Sequence, residues 1–184
     1  MPGVVAVIDA NVLYRSTIRD LLIRLAISGL IQAKWSDRIL EETFSNIIKN
    51  RPELDPAKLA RTRELMDCAV RDVTVNDYDD IEASLMLPDP DDRHVLAAAI
   101  KAGAQVIVTD NTADFPAKTL AQWGIVARRA DRFISDLIDL RRDAVADAVK
   151  QIANAHTRPP TTLEGVLDRL ETEGLKRAAA LLRV

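Results

Sequence analysis

Two uninterrupted runs of apolar, mostly β-branched residues constrain this chain more than any other feature. The first lies in VVAVIDANVL and stops at Asp9-Ala10-Asn11; the second lies in QVIVTDN and stops at Thr109-Asp110-Asn111. Neither alternates polar with apolar residues, as a strand wet on one face would. Such runs read as strands covered on both faces, which is the condition of a parallel sheet with helices above and below it.

What lies between the runs is helical. STIRDLLIRLAISGL spaces Ile18, Leu21, Leu22 and Leu25 along one helix face, with Ser16 or Thr17 as the expected cap and Gly29 at its end. LIQAKW reads as a second strand. SDRILEETFSNIIKNRP reads as a helix capped by Ser36, and the segment from Asp55 to about Val70 as another, with Pro56 in its first turn. RDVTVND is expected to be a short strand, and GIVARRA a further one. A long amphipathic helix is expected from Asp131 to about His156, then a break at Arg158-Pro159-Pro160. A capping box from Thr161 to Glu164 opens a last helical pair divided near Gly174.

Strands alternating with helices imply right-handed crossovers. The expected fold class is α/β: a three-layer α/β/α arrangement on a mainly parallel central sheet, followed by a C-terminal helical extension. The expected division is residues 1–131 for the sheet-containing domain and 132–184 for the extension. A chain of 184 residues with 48% hydrophobic and only 4% aromatic residues must build its core from Leu, Ile, Val and Ala. The single cysteine, Cys68, is expected to be a buried reduced thiol. No secretory leader is legible, and no apolar stretch is long enough to span a bilayer, so the cytoplasm is the expected location.

In parallel sheets of this kind, sites form beyond the carboxyl ends of the strands. Asp9 sits at one such end, and Asp110, Asn111 and Asp114 follow another. PDPDDRHVLAAAI adds Asp89, Asp91 and Asp92 at the start of the helix that feeds the second apolar run. A helix start needs one cap, and three aspartates are present. Asp92 shares a stripe with Val95, Leu96 and Ala99, so it is expected to point inward. An inward carboxylate must be paired, metal-bound or neutralised. Glu41 and Glu42 lie within an amphipathic helix; one is expected to be solvated and the other to lean toward the strand ends. Converging carboxylates suit a hard cation, Mg²⁺ or Mn²⁺. With one Cys and two His, a structural zinc site is excluded in practice.

The ordered set VVAVIDANVL, ILEET, DPDDRHVLAAAIKAGAQVIVTDN and TADFP resembles the PIN-domain ribonucleases over about residues 4 to 130. The resemblance implies metal-dependent endoribonuclease activity, with Asp9 as the first acid, Glu42 rather than Glu41 as the second, and Asp92 as the third. The fourth is Asp114, with Asp110 as the weaker candidate, because Asn111 stands where many members carry an acid. Thr109 and Asn11 resemble polar residues that orient ligands or water. The chain also resembles VapC-type toxins, which implies RNA as substrate, a cognate antitoxin as partner and a homodimer. The extension resembles that of one toxin subgroup.

A net charge of −3 and a pI near 5.5 offer RNA no bulk attraction, so cationic contacts must be local. Arg15, nearest in sequence to Asp9, is the expected phosphate contact, though a weak one. His94 reads as a packed or surface residue rather than a general base. A receiver domain also gathers acids around Mg²⁺, but neither its acidic pair before the first helix nor its lysine after the fifth strand is clear in this chain. A haloacid-dehalogenase-type phosphatase needs a second aspartate two residues after Asp9, where this chain has Asn11. A non-catalytic PIN-like module binding RNA or a partner would not need the acids. Leu163, Val166, Leu167 and Leu170 form a stripe too short to stand alone, so it must bury itself in cis or in an antitoxin.

Overall fold

The structure is a computed structural model and describes residues 2–184. Strand β1 (Val4–Ile8) leads into a single-turn helix α1 (Ala10–Leu13), then α2 (Ser16–Ile27) and β2 (Ile31–Lys34). Helices α3 (Asp37–Asn50), α4 (Pro56–Ala69) and α5 (Asp79–Ser84) follow, and α6 (Arg93–Lys101) feeds β3 (Val106–Val108). Helix α7 (Ala117–Ala121) and β4 (Val126–Arg128) complete the sheet. The C-terminal part is α8 (Ala130–Ala155), α9 (Leu163–Thr172) and α10 (Lys176–Arg183).

The four strands are parallel, in the order β2-β1-β3-β4. Ala6, Val7 and Ile8 of β1 and Ile107 and Val108 of β3 are fully buried. Successive residues of a strand face opposite sides, so burial of every one means that helices cover both faces. This is the three-layer α/β/α arrangement expected of the two apolar runs. The register sets Ile8 beside Val108, so Asp9 and Thr109 emerge abreast at the carboxyl edge.

Local side-chain caps start helices α1, α3, α4 and α9. Ser36 Oγ accepts from Ile39 N at 3.1 Å, and Asp55 caps α4 through Ala57 N at 2.9 Å, with Pro56 next in line. Gly29 and Gly174 turn the chain at positive φ, 79° and 120°, where a side chain would be strained.

Several expectations are corrected. RDVTVND forms no strand; Thr74 makes only an isolated bridge with Trp35, because Asp72 and Asp77 at either side adopt left-handed backbone (φ 52° and 58°) that breaks the extended run. Neither Ser16 nor Thr17 caps α2; both lie inside it, and Arg15 occupies the cap position without a side-chain bond to the helix amides. Thr162, not Thr161, caps α9, accepting from Gly165 N at 3.0 Å. Cys68 is exposed, since the sparsely buried α4 turns only Met66 into the core. The long helix α8 is broken at Arg141, whose φ of −147° and ψ of 64° are not helical.

The apolar stripe expected over the last helices is buried in cis except at Leu163, which at the first turn of α9 stays 43% exposed. Val166, Leu167, Leu170, Leu175 and Ala178 join the same core as the sheet, with α9 and α10 packed on α8 and α9 also touching α2. Arg183 ties α10 back to α9 through Glu164, Asp168 and Glu171 at 2.6–2.7 Å. No helix among the described residues is long and apolar enough to cross a membrane.

Candidate active site

Asp9 is the fixed point of the site. As the first residue beyond β1 it holds its backbone in the sheet, donating N–H to Val108 O at 3.0 Å. Its Oδ1 accepts from Ala10 N at 2.7 Å, so it also caps α1. Its Oδ2 accepts from Thr109 Oγ1 at 2.8 Å and from Asn11 Nδ2 at 3.1 Å. The carboxyl is pushed above the usual aspartate value, chiefly by burial and further by Glu42, against the opposing pull of Thr109 and Ala10.

Asn11 and Thr109 form a bracket around that carboxylate. Asn11 Nδ2 also donates to Thr109 Oγ1 at 3.1 Å, while Asn11 Oδ1 accepts the backbone N–H of Asp110 at 3.0 Å. Thr109 Oγ1 accepts from Asn111 N at 3.1 Å. One asparagine therefore joins the loop after β1 to the loop after β3.

The three aspartates before α6 divide their work. Asp89 is the cap, accepting from Asp91 N at 2.9 Å to start a single 3-10 turn, Pro90–Asp92. Asp91 is exposed. Asp92 is half-buried on that turn rather than on the helical stripe itself, and its carboxyl is pushed up to about 7, first by burial and then by Asp9, Asp89, Asp114 and Glu42. Asp92 thus lies within electrostatic reach of four other carboxylates, drawn with it from four separate stretches of chain.

The geometry separates the paired alternatives. Glu41 is exposed and bonded to Arg63 at 2.8 Å, which pulls its carboxyl below the usual range. Glu42, one residue on, turns toward Asp9 and Asp92, and its Oε2 lies 3.5 Å from His94 Nε2. Asp114 sits on a single-turn helix, Thr112–Asp114, and acts on Asp92. Asp110 faces away from the other acids. Its Oδ2 accepts from Arg15 Nη1 at 2.5 Å and its Oδ1 from Ala130 N at 3.4 Å. Arg15, expected to meet phosphate, is held in that ion pair and keeps 34% of its side chain exposed. His94 is 1% exposed, faces Glu42 with one nitrogen, and leaves Nδ1 without a partner. Of the packed and surface settings expected for it the structure has the packed one; its contact with Glu42 was not legible, because it depends on how α3 lies against α6.

Among the described residues, no three acidic, histidine or cysteine side chains converge closely enough to ligate one ion as they stand. Proximity is present and chelating geometry is not, so seating an ion would require side-chain rotation of the exposed members. The donor chemistry fits a hard divalent cation: every acid offers oxygen, no cysteine is near, and the mutual repulsion that adds to burial in raising Asp92 is what a cation would relieve. Two grooves of about 740 and 800 Å³ lie elsewhere, and neither is lined by any of the four proposed acids.

Residues 5–113 match the family model described as PIN domain. The chain belongs to the PIN-domain family. The matched region includes Asp9, Asn11, Glu42, Asp92 and Thr109 and stops one residue short of Asp114. Residues 130–184 match a second model, described as VapC50 C-terminal domain, so the PIN domain is followed by helices of a recognised type. A relative from Mycobacterium tuberculosis, named "Putative ribonuclease VapC50", is 38% identical over 93 residues, which is 50% of this chain and 55% of that protein. The PIN-domain chain therefore aligns with about half the length of this curated relative. No solved structure matches it.

Proposed function

We infer that this PIN-domain chain is a divalent-metal-dependent endoribonuclease and the toxin component of a toxin–antitoxin pair. The observation that carries the reading is the gathering of Asp9, Glu42, Asp92 and Asp114 at the carboxyl edge of the sheet, where burial first and then these neighbouring acids push Asp92 up to about 7. Similarity to a VapC50 protein named as a ribonuclease supports it.

Asp9, Glu42 and Asp92 would hold Mg²⁺ or Mn²⁺, and Asp114 would hold a second ion or orient the attacking water. When bound, the cation supplies positive charge that polarises water and offsets charge on the phosphodiester oxygens. Asn11 and Thr109 keep Asp9 in one orientation by occupying its Oδ2. Glu42 and Asp114 are less enclosed than Asp9 and are the members free to adjust to an RNA backbone. His94 keeps Glu42 turned toward the site. Arg15 offers RNA a weak cationic contact with whatever part of its guanidinium Asp110 leaves free.

The division into residues 1–131 and 132–184, a cognate antitoxin, a homodimer and a cytoplasmic location complete this reading. The phosphatase alternative is weakened further by Asn11, whose amide is committed to Asp9 and Thr109 and carries no acidic proton.

The direct test is RNA incubated with purified protein in Mn²⁺ or in EDTA, beside Asp9→Asn. Cleavage is expected only for the unaltered protein with the ion. Equal cleavage by Asp9→Asn, or undiminished cleavage in EDTA, would sink the reading; turnover of p-nitrophenyl phosphate would favour the phosphatase. Co-expression with the product of the adjacent open reading frame tests the antitoxin.

A further inference from the structure

Helix α2 begins without a cap of its own, and the missing acceptor comes from the far end of the chain. Glu173, in the turn between α9 and α10, directs its carboxylate at the free amides of the first turn. Its Oε2 accepts from Thr17 N at 3.1 Å and Ile18 N at 2.9 Å, and its Oε1 stands 3.2 Å from Thr17 N. An anion on a helix N-terminus is favourable both for the hydrogen bonds and for the helix dipole.

The contact continues toward the acids. Gly174 lies against Arg15 so closely that a Cβ there would stand 3.3 Å from Nη1. That same Nη1 is bonded to Asp110 Oδ2. The Asp110 N–H is bonded to Asn11 Oδ1, and Asn11 Nδ2 together with Thr109 Oγ1 holds Asp9 Oδ2. Each step is a direct contact between named atoms, from the C-terminal helices to the buried carboxylate. Ala130, the first residue of α8, also donates to Asp110, so the C-terminal part reaches that loop directly there and through Arg15 at Gly174.

We propose that Glu173 is a positioning residue for the acid site: it pins the start of α2 and, with Gly174, seats Arg15 on Asp110, so that Asn11 and Thr109 present Asp9 in a single orientation. The C-terminal helices thereby act on the chemistry without touching substrate or ion. This inference rests on the reading of Asp9 as a metal-holding acid.

A cap with a purely structural role would lower stability and leave the loop after β3 as it was. Two readouts separate the roles in the full-length protein. The first is amide hydrogen exchange over residues 9–18 and 109–111. The second is Mn²⁺ affinity by calorimetry, at a temperature where every variant is folded. Asp55→Ala removes a comparable cap, that of α4, outside the chain of contacts and serves as the control.

Glu173→Ala is expected to speed exchange at 109–111 as well as at Thr17 and Ile18. It is also expected to weaken Mn²⁺ binding by about three- to tenfold, less than direct loss of a ligand-orienting partner because the effect passes through Arg15, Asp110 and Asn11. Glu173→Gln keeps an acceptor oxygen and should restore most of both signals. Unchanged exchange at 109–111 in Glu173→Ala overturns the proposal. So does an affinity loss no larger than that of Asp55→Ala, or a Gln variant as impaired as the Ala variant. Failure of the unaltered protein to take up Mn²⁺, or undiminished uptake by Asp9→Asn, defeats the metal-site reading instead, and with it the functional consequence drawn here. In that case the exchange data still decide whether Glu173 reaches the loop after β3.

Discussion

Asp92 binds its proton more tightly in the folded chain than an unfolded aspartate does, with its carboxyl pushed from 3.8 to about 7 by burial and by neighbouring acids. The folded state therefore holds more protons through that interval, and this group's contribution to stability is complete below about pH 3.8 and is lost as pH rises through 7. Asp9, raised in the same direction, adds to the trend. In EDTA, the melting temperature should accordingly fall between pH 5 and pH 8 by more than it does in Asp92→Asn; identical slopes would show that the carboxyl is not perturbed. Asn11→Ala and Thr109→Val, which each remove a bond to Asp9 Oδ2, should weaken Mn²⁺ binding by about 10–100-fold in a calorimetric titration. Glu42→Gln should lose RNA cleavage while Glu41→Gln, on the Arg63 side of the helix, keeps it. Asp9 was legible as a site candidate because it directly ends a buried strand. The choice between Glu41 and Glu42 was open in the sequence. Adjacent helix positions point about 100° apart, and which direction meets the strand ends is decided by how α3 packs.

At the scale of elements, the two apolar runs and the Ser36 and Asp55 caps could be read directly, because each depends on residues within a few positions. Helix α2 could be read in its core face but not in its start. Ile18, Leu21, Leu22 and Leu25 are all fully buried as their spacing requires, yet the cap comes from Glu173, 156 positions later than Thr17. No local pattern encodes an acceptor at that separation. The same limit applies to RDVTVND, which has strand composition but is bounded by two left-handed aspartates. Packing and capping should also differ in cost. Leu22→Ala, which empties a fully buried position, is expected to cost about 2–5 kcal/mol in urea denaturation. Asp55→Ala is expected to cost about 0.5–2 kcal/mol. A Leu22→Ala loss no greater than that of Asp55→Ala would mean that α2 is less tightly packed than its burial implies.

Across the whole molecule, the C-terminal helices share one core with the sheet through α8 and α2. Deleting residues 158–184 should uncover the faces that Val166, Leu167, Leu170 and Ala178 now cover, lower the melting temperature, and produce larger species in light scattering. A truncated chain that stays monodisperse with an unchanged melting temperature would show that those contacts contribute little. The β1–β3 register carries a longer consequence. Because Asp9 and Thr109 stand abreast through main-chain pairing, their spacing survives any side-chain replacement that keeps the two strands. The outlying acids on α3 and after β3 have no such anchor and are placed by helix packing and loop conformation, so they can be exchanged while the innermost aspartate inherits its address from the backbone.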